Sequence, residues 1–181
     1  RYVAHIQLAT ASASFTVGDL VAADRSVQNA ISFAPSAVAY QAQANIATRY
    51  LQQIAASTTM SVTEARQTFQ STLSSGIDAA LTATRLAPSD YRSWLTLGSL
   101  YAQAVPLSVA GAFESANTAY EKARALNPTN PEIPYIMAQL DIAHKDIKAA
   151  QEDLEATIAL KPDYATAIFL LSQLQVQNGQ L

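Results

Sequence analysis

Few residues in this chain could do covalent or acid–base chemistry. His5 and His144 are its only histidines. Neither has a histidine or carboxylate four residues on, the spacing that sets two metal ligands on one helix face. His144 falls at the end of a helical stretch, where a partly charged imidazole suits the helix dipole. Gln151-Glu152-Asp153-Leu154-Glu155 concentrates acid one turn into another helical stretch. Asp146 and Glu152 complement that helix's positive end, and the remaining carboxylates read as a solvated face. Acid–base work by paired carboxylates needs a pocket and a raised pKa, and the pattern points to neither. With no cysteine there is no disulfide, thiol catalysis or thiolate-bound zinc. None of the five glycines forms a phosphate-binding loop or a nucleophile elbow. Asn127-Pro128-Thr129 is disqualified as a glycosylation site by its proline. Trp94, Tyr101 and Tyr120 could stack on a ligand, but their spacing makes them the filling between two helices of one hairpin. The expectation is a protein that is not an enzyme, with no catalytic residue, metal or cofactor.

The elements that hold these residues are helices. Half of the 181 residues are hydrophobic, about a fifth are alanine, and only five are glycine and seven proline. Much alanine with little glycine favours helices packed closely through small side chains. The net charge is −3, and the Lys and Arg residues are scattered singly. That argues against a nucleic-acid partner, which needs a clustered basic face. No apolar stretch approaches the ~18 residues of a membrane-spanning helix. The start, Arg1-Tyr2-Val3, has neither a methionine nor a signal pattern, as expected of a piece of a longer or processed chain.

Four proline punctuations share one form: Phe33-Ala34-Pro35, Leu86-Ala87-Pro88, Leu126-Asn127-Pro128 and Leu160-Lys161-Pro162. Each follows a helical run with small or apolar residues at fixed offsets. These are Ala23, Val27 and Ala30; then Gly76, Ala80 and Ala83; then Ala116, Tyr120 and Ala123; then Ala150, Leu154 and Thr157. Steps of four and three residues trace one helix face, and a small residue there lets a neighbour come close. The proline then stops the helix. A second face begins six residues after each proline: Trp94, Leu97, Gly98 and Tyr101; Pro134, Met137, Ala138 and Asp141; Ile168, Leu171, Ser172 and Gln175. The corresponding Gln41, Ala44, Asn45 and Thr48 fit poorly.

At these residues the chain resembles the tetratricopeptide repeat (TPR) family, whose unit is a helical hairpin of 34 residues. Trp94, Leu97, Gly98, Tyr101, Ala116, Tyr120, Ala123 and Pro128 match the family's signature places. The resemblance implies an all-α fold, antiparallel hairpins stacked as a right-handed superhelix of about nine helices. One domain would span 1–181, with hairpins near 2–35, 37–88, 90–128 and 131–162 and a half hairpin at 163–181. The prolines stand 53, 40 and 34 residues apart, so two hairpins carry insertions. Helices are expected near 2–15, 18–33, 37–56, 61–86, 90–104, 109–126, 131–143, 146–159 and 163–178. The insertions should lengthen helices, with Ser61 and Glu64 forming a capping box and Val62, Phe69, Leu73 and Ile77 an apolar stripe. Pro106 should end one helix, and Leu107–Ala112 turn into the next. Gly18-Asp19-Leu20 and Gly179-Gln180-Leu181 occupy equivalent places between hairpin helices. The chain therefore stops where another helix should begin, leaving an apolar last helix suited to self-association.

In this family the first helices of successive hairpins line a groove that takes peptides or partner helices. The register projects Arg49, Tyr50, Arg92, Leu95, Ser99, Gln103, Glu132, Tyr135, Gln139, Ile142, Thr166, Phe169, Gln173 and Gln177 towards it. The Lys/Asn/Arg clamp with which some members grip a chaperone's C-terminal carboxylate is missing; Leu95, Ser99, Glu132, Tyr135, Ile136 and Gln139 stand in its places. The resemblance thus implies a non-catalytic interaction or scaffolding module with a protein or peptide partner. An alternative comes from the alanine-, threonine- and glutamine-rich, lysine-poor helices. They resemble extracytoplasmic repeat segments of bacterial envelope membrane proteins of the polysaccharide polymerase or ligase type, whose activity lies elsewhere in the protein.

Overall fold

The computed structural model describes residues 2–177. In order they form α1 (Tyr2–Thr16), α2 (Leu20–Phe33), α3 (Ala37–Ala56), α4 (Val62–Leu86), α5 (Tyr91–Ala102), a 3₁₀ turn (Val105–Leu107), α6 (Ala112–Leu126), α7 (Glu132–His144), α8 (Ile147–Leu160) and α9 (Ala165–Gln177). The described residues are all-α, with successive helices in antiparallel pairs. The Gly179-Gln180-Leu181 turn lies outside the described residues.

Local chemistry sets most boundaries. Asp19, Ser36, Ser61 and Asp146 cap α2, α3, α4 and α8, each side chain accepting an N–H three residues on. At the other ends, Ala34, Ala87, Asn127 and Lys161 each precede a proline and leave the helical region. Their N–H groups still reach the carbonyls of Ala30, Ala83, Ala123 and Thr157. Those four acceptors are the residues that close the repeated small-residue pattern, and each is fully buried. One motif therefore both stops the helix and seats it.

The chain divides into two compact units, Arg1–Leu100 and Tyr101–Leu181. In the first, α1 pairs with α2, α3 pairs with α4, and α2 lies on α3. Ala11, Ala23, Val27 and Ile46 form a core there, flanked by Phe15, Ile31, Ala42 and Tyr50. In the second, α7 pairs with α8, with α6 against α7 and α9 against α8. Its core is Ala138, Ala150, Leu154, Ala167 and Leu174.

The two insertions behave differently. The earlier one lengthens helices as expected: α3 has 20 residues and α4 has 25. Its apolar stripe is only partly used. Leu73 is buried, Phe69 and Ile77 are half-buried, and Val62, in the first turn beside the connecting loop, is 82% exposed. The later insertion makes a turn. Ser108 (φ 56°) and Gly111 (φ 75°) take left-handed backbone, which no α-helix tolerates, so α6 starts at Ala112 and not near 109.

Candidate interaction site

Within the first unit, α1 and α3 leave a cleft of about 380 Å³. Leu8, Ala11, Ser12 and Phe15 of α1 face it at steps of three and four residues, the spacing of one helix face. From α3 come Val38, Gln41, Ala42, Asn45 and Ile46, with Val27 of α2 beneath and Arg92 of α5 at its side. The lining is mostly apolar; among the described residues it holds one cation and no carboxylate. Arg92 is positioned by Asp90, whose Oδ1 accepts from its Nε at 3.2 Å and its backbone N–H at 3.1 Å. The guanidinium also lies 5.9 Å from the Tyr91 ring centroid. Thr96 Oγ1 donates to Asn45 Oδ1 at 3.1 Å, tying α5 to α3 at the cleft.

Arg49 and Tyr50 part company. Arg49 lies four residues after Asn45 and so shares its side of α3, exposed and bonded to Gln52. Tyr50 shares a face with Gln43, Ile46 and Ala47. It lines a smaller hollow of about 270 Å³ with Asp24 and Gln28 of α2 and Ser71, Thr72 and Ser75 of α4. Burial first, then Asp24 and Asp19, raises its phenol pKa. One residue is ~100° around a helix, which separates these neighbours onto different surfaces. Leu95 and Ser99, further along α5, are half-buried.

In the second unit, Gln103 and Tyr135 are half-buried, and Glu132, Gln139, Phe169, Gln173 and Gln177 are exposed. The Tyr135 ring lies 5.1 Å from that of Tyr164. Burial, Glu132 and Tyr135 in that order raise the Tyr164 pKa. Lys161 stands 5.6 Å over the Tyr164 ring. Tyr164 is a residue the helix register does not reveal, because it sits in the turn before α9. The cleft residues of α1 and the start of α3 are likewise absent from the projection. Their hairpin matches the repeat poorly, and only the 8–11–12–15 spacing signals them.

One reading of the acidic stretch needs correction. Asp153 is not part of a solvated face: its side chain is 15% exposed and pairs with Arg124 of α6 at 3.4 Å. Burial raises its pKa to about 6, with Glu121 and Glu152 adding to the rise and Arg124 opposing it. Its cationic partner stands 29 residues away on another helix, α6, which the local sequence pattern does not show.

No protein-family model matches the sequence, and no curated protein matches it significantly. Solved structures do match. A thermophilic TPR protein of Thermus thermophilus superimposes with a TM-score of 0.73 at 16% identity, over 92% of this chain and 78% of its own. MamA protein gives 0.69 at 16% identity, over 98% and 83%. The fold is that of the tetratricopeptide repeat. A third TPR structure, the first TPR of Spaghetti bound to an HSP90 peptide, matches with a TM-score of 0.52 and 16% identity, over 76% of this chain and 94% of its own. In TPR terms α1, α3, α5 and α7 are first helices of hairpins, so the cleft of the first unit opens between first helices. Trp94, at a signature place, is half-buried and donates its Nε1–H to Pro88 O at 2.8 Å. It fastens its own helix to the preceding proline turn as well as filling space.

Proposed function

We propose that the chain is a non-catalytic interaction module that takes a peptide or protein segment into the cleft between α1 and α3. The observation that carries this is the cleft itself, a 380 Å³ apolar hollow on the first-helix side of a TPR fold, with Arg92 at its side. An apolar hollow of this size accepts one or two large side chains of a partner. Asn45, Gln41 and Arg92 supply polar groups at its edge to orient a backbone. The HSP90 peptide carried by one similar structure supports the general mode and leaves the partner of this chain open.

Peptides selected from a random displayed library on the intact chain test the proposal. Binding of the selected peptides should fall at least about tenfold on Val38→Glu, which puts a charge into the cleft from a position already 64% exposed. Arg92→Ala should weaken peptides that carry a carboxylate more than those that do not. Selected peptides that bind both variants as they bind the parent would place the site elsewhere.

A further inference from the structure

The earlier insertion lengthens α4 and puts a run of hydroxyls on it, Ser71, Thr72, Ser74 and Ser75. Along that helix Ser71, Ser75, Asp78 and Thr82 follow one another at steps of four, three and four, so they share a face. On α3, Tyr40, Gln43, Ala47 and Tyr50 follow at steps of three, four and three. The two helices pair with each other. Gly76 lets them come so near that a Cβ on it would lie 2.8 Å from Ala47 Cβ. The two faces border a polar furrow.

The furrow has two hollows. One, of about 500 Å³, is bordered by Tyr40, Asp78 and Thr82. The other, of about 270 Å³, is bordered by Tyr50 and by Asp24 and Gln28 of α2. Gln43, Ser71 and Ser75 line both, so the two adjoin. Each hollow therefore pairs one tyrosine with one aspartate, and among the described residues no lysine, arginine or histidine lines either. Arg85 stands past the stripe, its Nη2 donating to Thr82 Oγ1 at 2.9 Å. Among the described residues neither the Asp24 nor the Asp78 carboxylate has a hydrogen bond or an ion pair. Their oxygens are open to a cationic donor. The α1–α3 cleft is the reverse, apolar with one cation and no carboxylate.

We infer that this furrow is a second docking surface of the first unit, for an extended protein segment carrying two basic residues four places apart. Charge complementarity selects the partner's sign, since each hollow offers a carboxylate and no competing cation. The helix sets the spacing. Tyr40 and Tyr50 stand ten residues apart, about 15 Å along α3. An extended chain rises about 3.3 Å per residue and points alternate side chains the same way. Its residues i and i+4 therefore lie on one side about 13 Å apart, one for each hollow. There an ammonium or guanidinium meets aspartate and tyrosine oxygens, while Gln43, Ser71 and Ser75 between them hydrogen-bond the partner's backbone. None of these polar residues lines the α1–α3 cleft, so the inference stands whether or not that cleft is occupied.

The probe is a fluorescent glycine–serine peptide with two lysines four residues apart. It is titrated onto the full chain at about 0.15 M salt, where charges more than about 8 Å apart are screened. Asp24→Asn and Asp78→Asn should each weaken binding about two- to fivefold, and the pair together more. Glu155→Gln, which removes an exposed carboxylate of the second unit, and Val38→Glu, in the α1–α3 cleft, should leave binding unchanged. A peptide with its lysines three residues apart, on opposite sides of an extended chain, should bind about twofold or more weakly. Nitrogen-15 NMR of the parent reads the same event without substitution: the peptide should shift the amide signals of Gln43, Ser71 and Ser75. Any one of four results would overturn the inference. These are parent-like binding by both aspartate variants, an equal loss with Glu155→Gln, shifts confined to other residues, or no binding at about 1 mM peptide.

Discussion

Replacing Gly76 with alanine should destabilise the protein, although alanine is the better helix former. Gly76 is buried within α4, and a Cβ built there meets Ala47 Cβ of α3 at 2.8 Å and Leu100 Cδ2 of α5 at 3.0 Å. Ordinary van der Waals contact begins near 3.4 Å. Leu100 is fully buried, so its methyl group has little room to swing away. Ala47 Cβ is fixed to its backbone, so α4 must back away from α3 by roughly half an ångström or more. Overpacking of this kind costs about 1–3 kcal/mol, and the helix preference of alanine returns up to ~1 kcal/mol. A contact at 2.8 Å with a backbone-fixed Cβ belongs in the upper half of that range, so a net loss of about 1–2 kcal/mol follows, or a fall of roughly 3–6 °C in Tm for a chain this long. Thermal and urea denaturation measure it. The companion variant Ala47→Gly with Gly76→Ala moves the methyl group to the opposite helix and restores the clearance. That pair should be more stable than the sum of its single substitutions predicts. A Gly76→Ala protein as stable as the parent would refute the idea that close approach, rather than conformational freedom, holds glycine at this position.

Three further outcomes can be checked by the same denaturation measurements. Trp94→Phe keeps an aromatic ring but leaves Pro88 O without the 2.8 Å bond, and should cost about 1 kcal/mol. Asp19→Ala removes the side chain that accepts the Ala22 N–H at 3.0 Å, and should cost about 1 kcal/mol by loss of the α2 cap. Leu154→Ala empties a fully buried site in the second core and should cost about 2–5 kcal/mol, whereas Phe169→Ala, at a residue 65% exposed, should stay within about 0.5 kcal/mol.

The helices were legible because their signals are local. A capping oxygen, a small residue every three or four places and a stopping proline act within a few residues of each other. Thus α3 begins and ends as read, and the other helices agree to within two or three residues. The later insertion departs from expectation at its far end because left-handed backbone at Ser108 carries no composition signal; serine rarely adopts it. The candidate site was less legible. The register projects Arg92 and Tyr50 towards one groove; in the structure Arg92 lines the hollow between α1 and α3, and Tyr50 lines another among α2, α3 and α4. The register passed over Leu8, Phe15 and Val38, whose hairpin departs from the repeat signature. The repeated face behaved unevenly too. In α7 its members Met137 and Ala138 are buried, while in α9 Ile168 is 41% exposed and Ser172 is exposed among the described residues.

The sequence by itself determined the all-α class, the order of helices and the buried face of α2, α4, α6 and α8, the helices that carry the small-residue pattern. Those depend on backbone preferences and on a periodicity of 3.6 residues, which neighbouring residues suffice to express. The tertiary structure decided what lies opposite each buried face. It set the distance from Gly76 to Ala47, opened the hollow between α1 and α3, and brought Glu121 of α6 and Asp153 of α8 onto one guanidinium, that of Arg124. Such outcomes depend on residues tens of positions apart in the chain, and helix packing alone brings them within ångströms of one another.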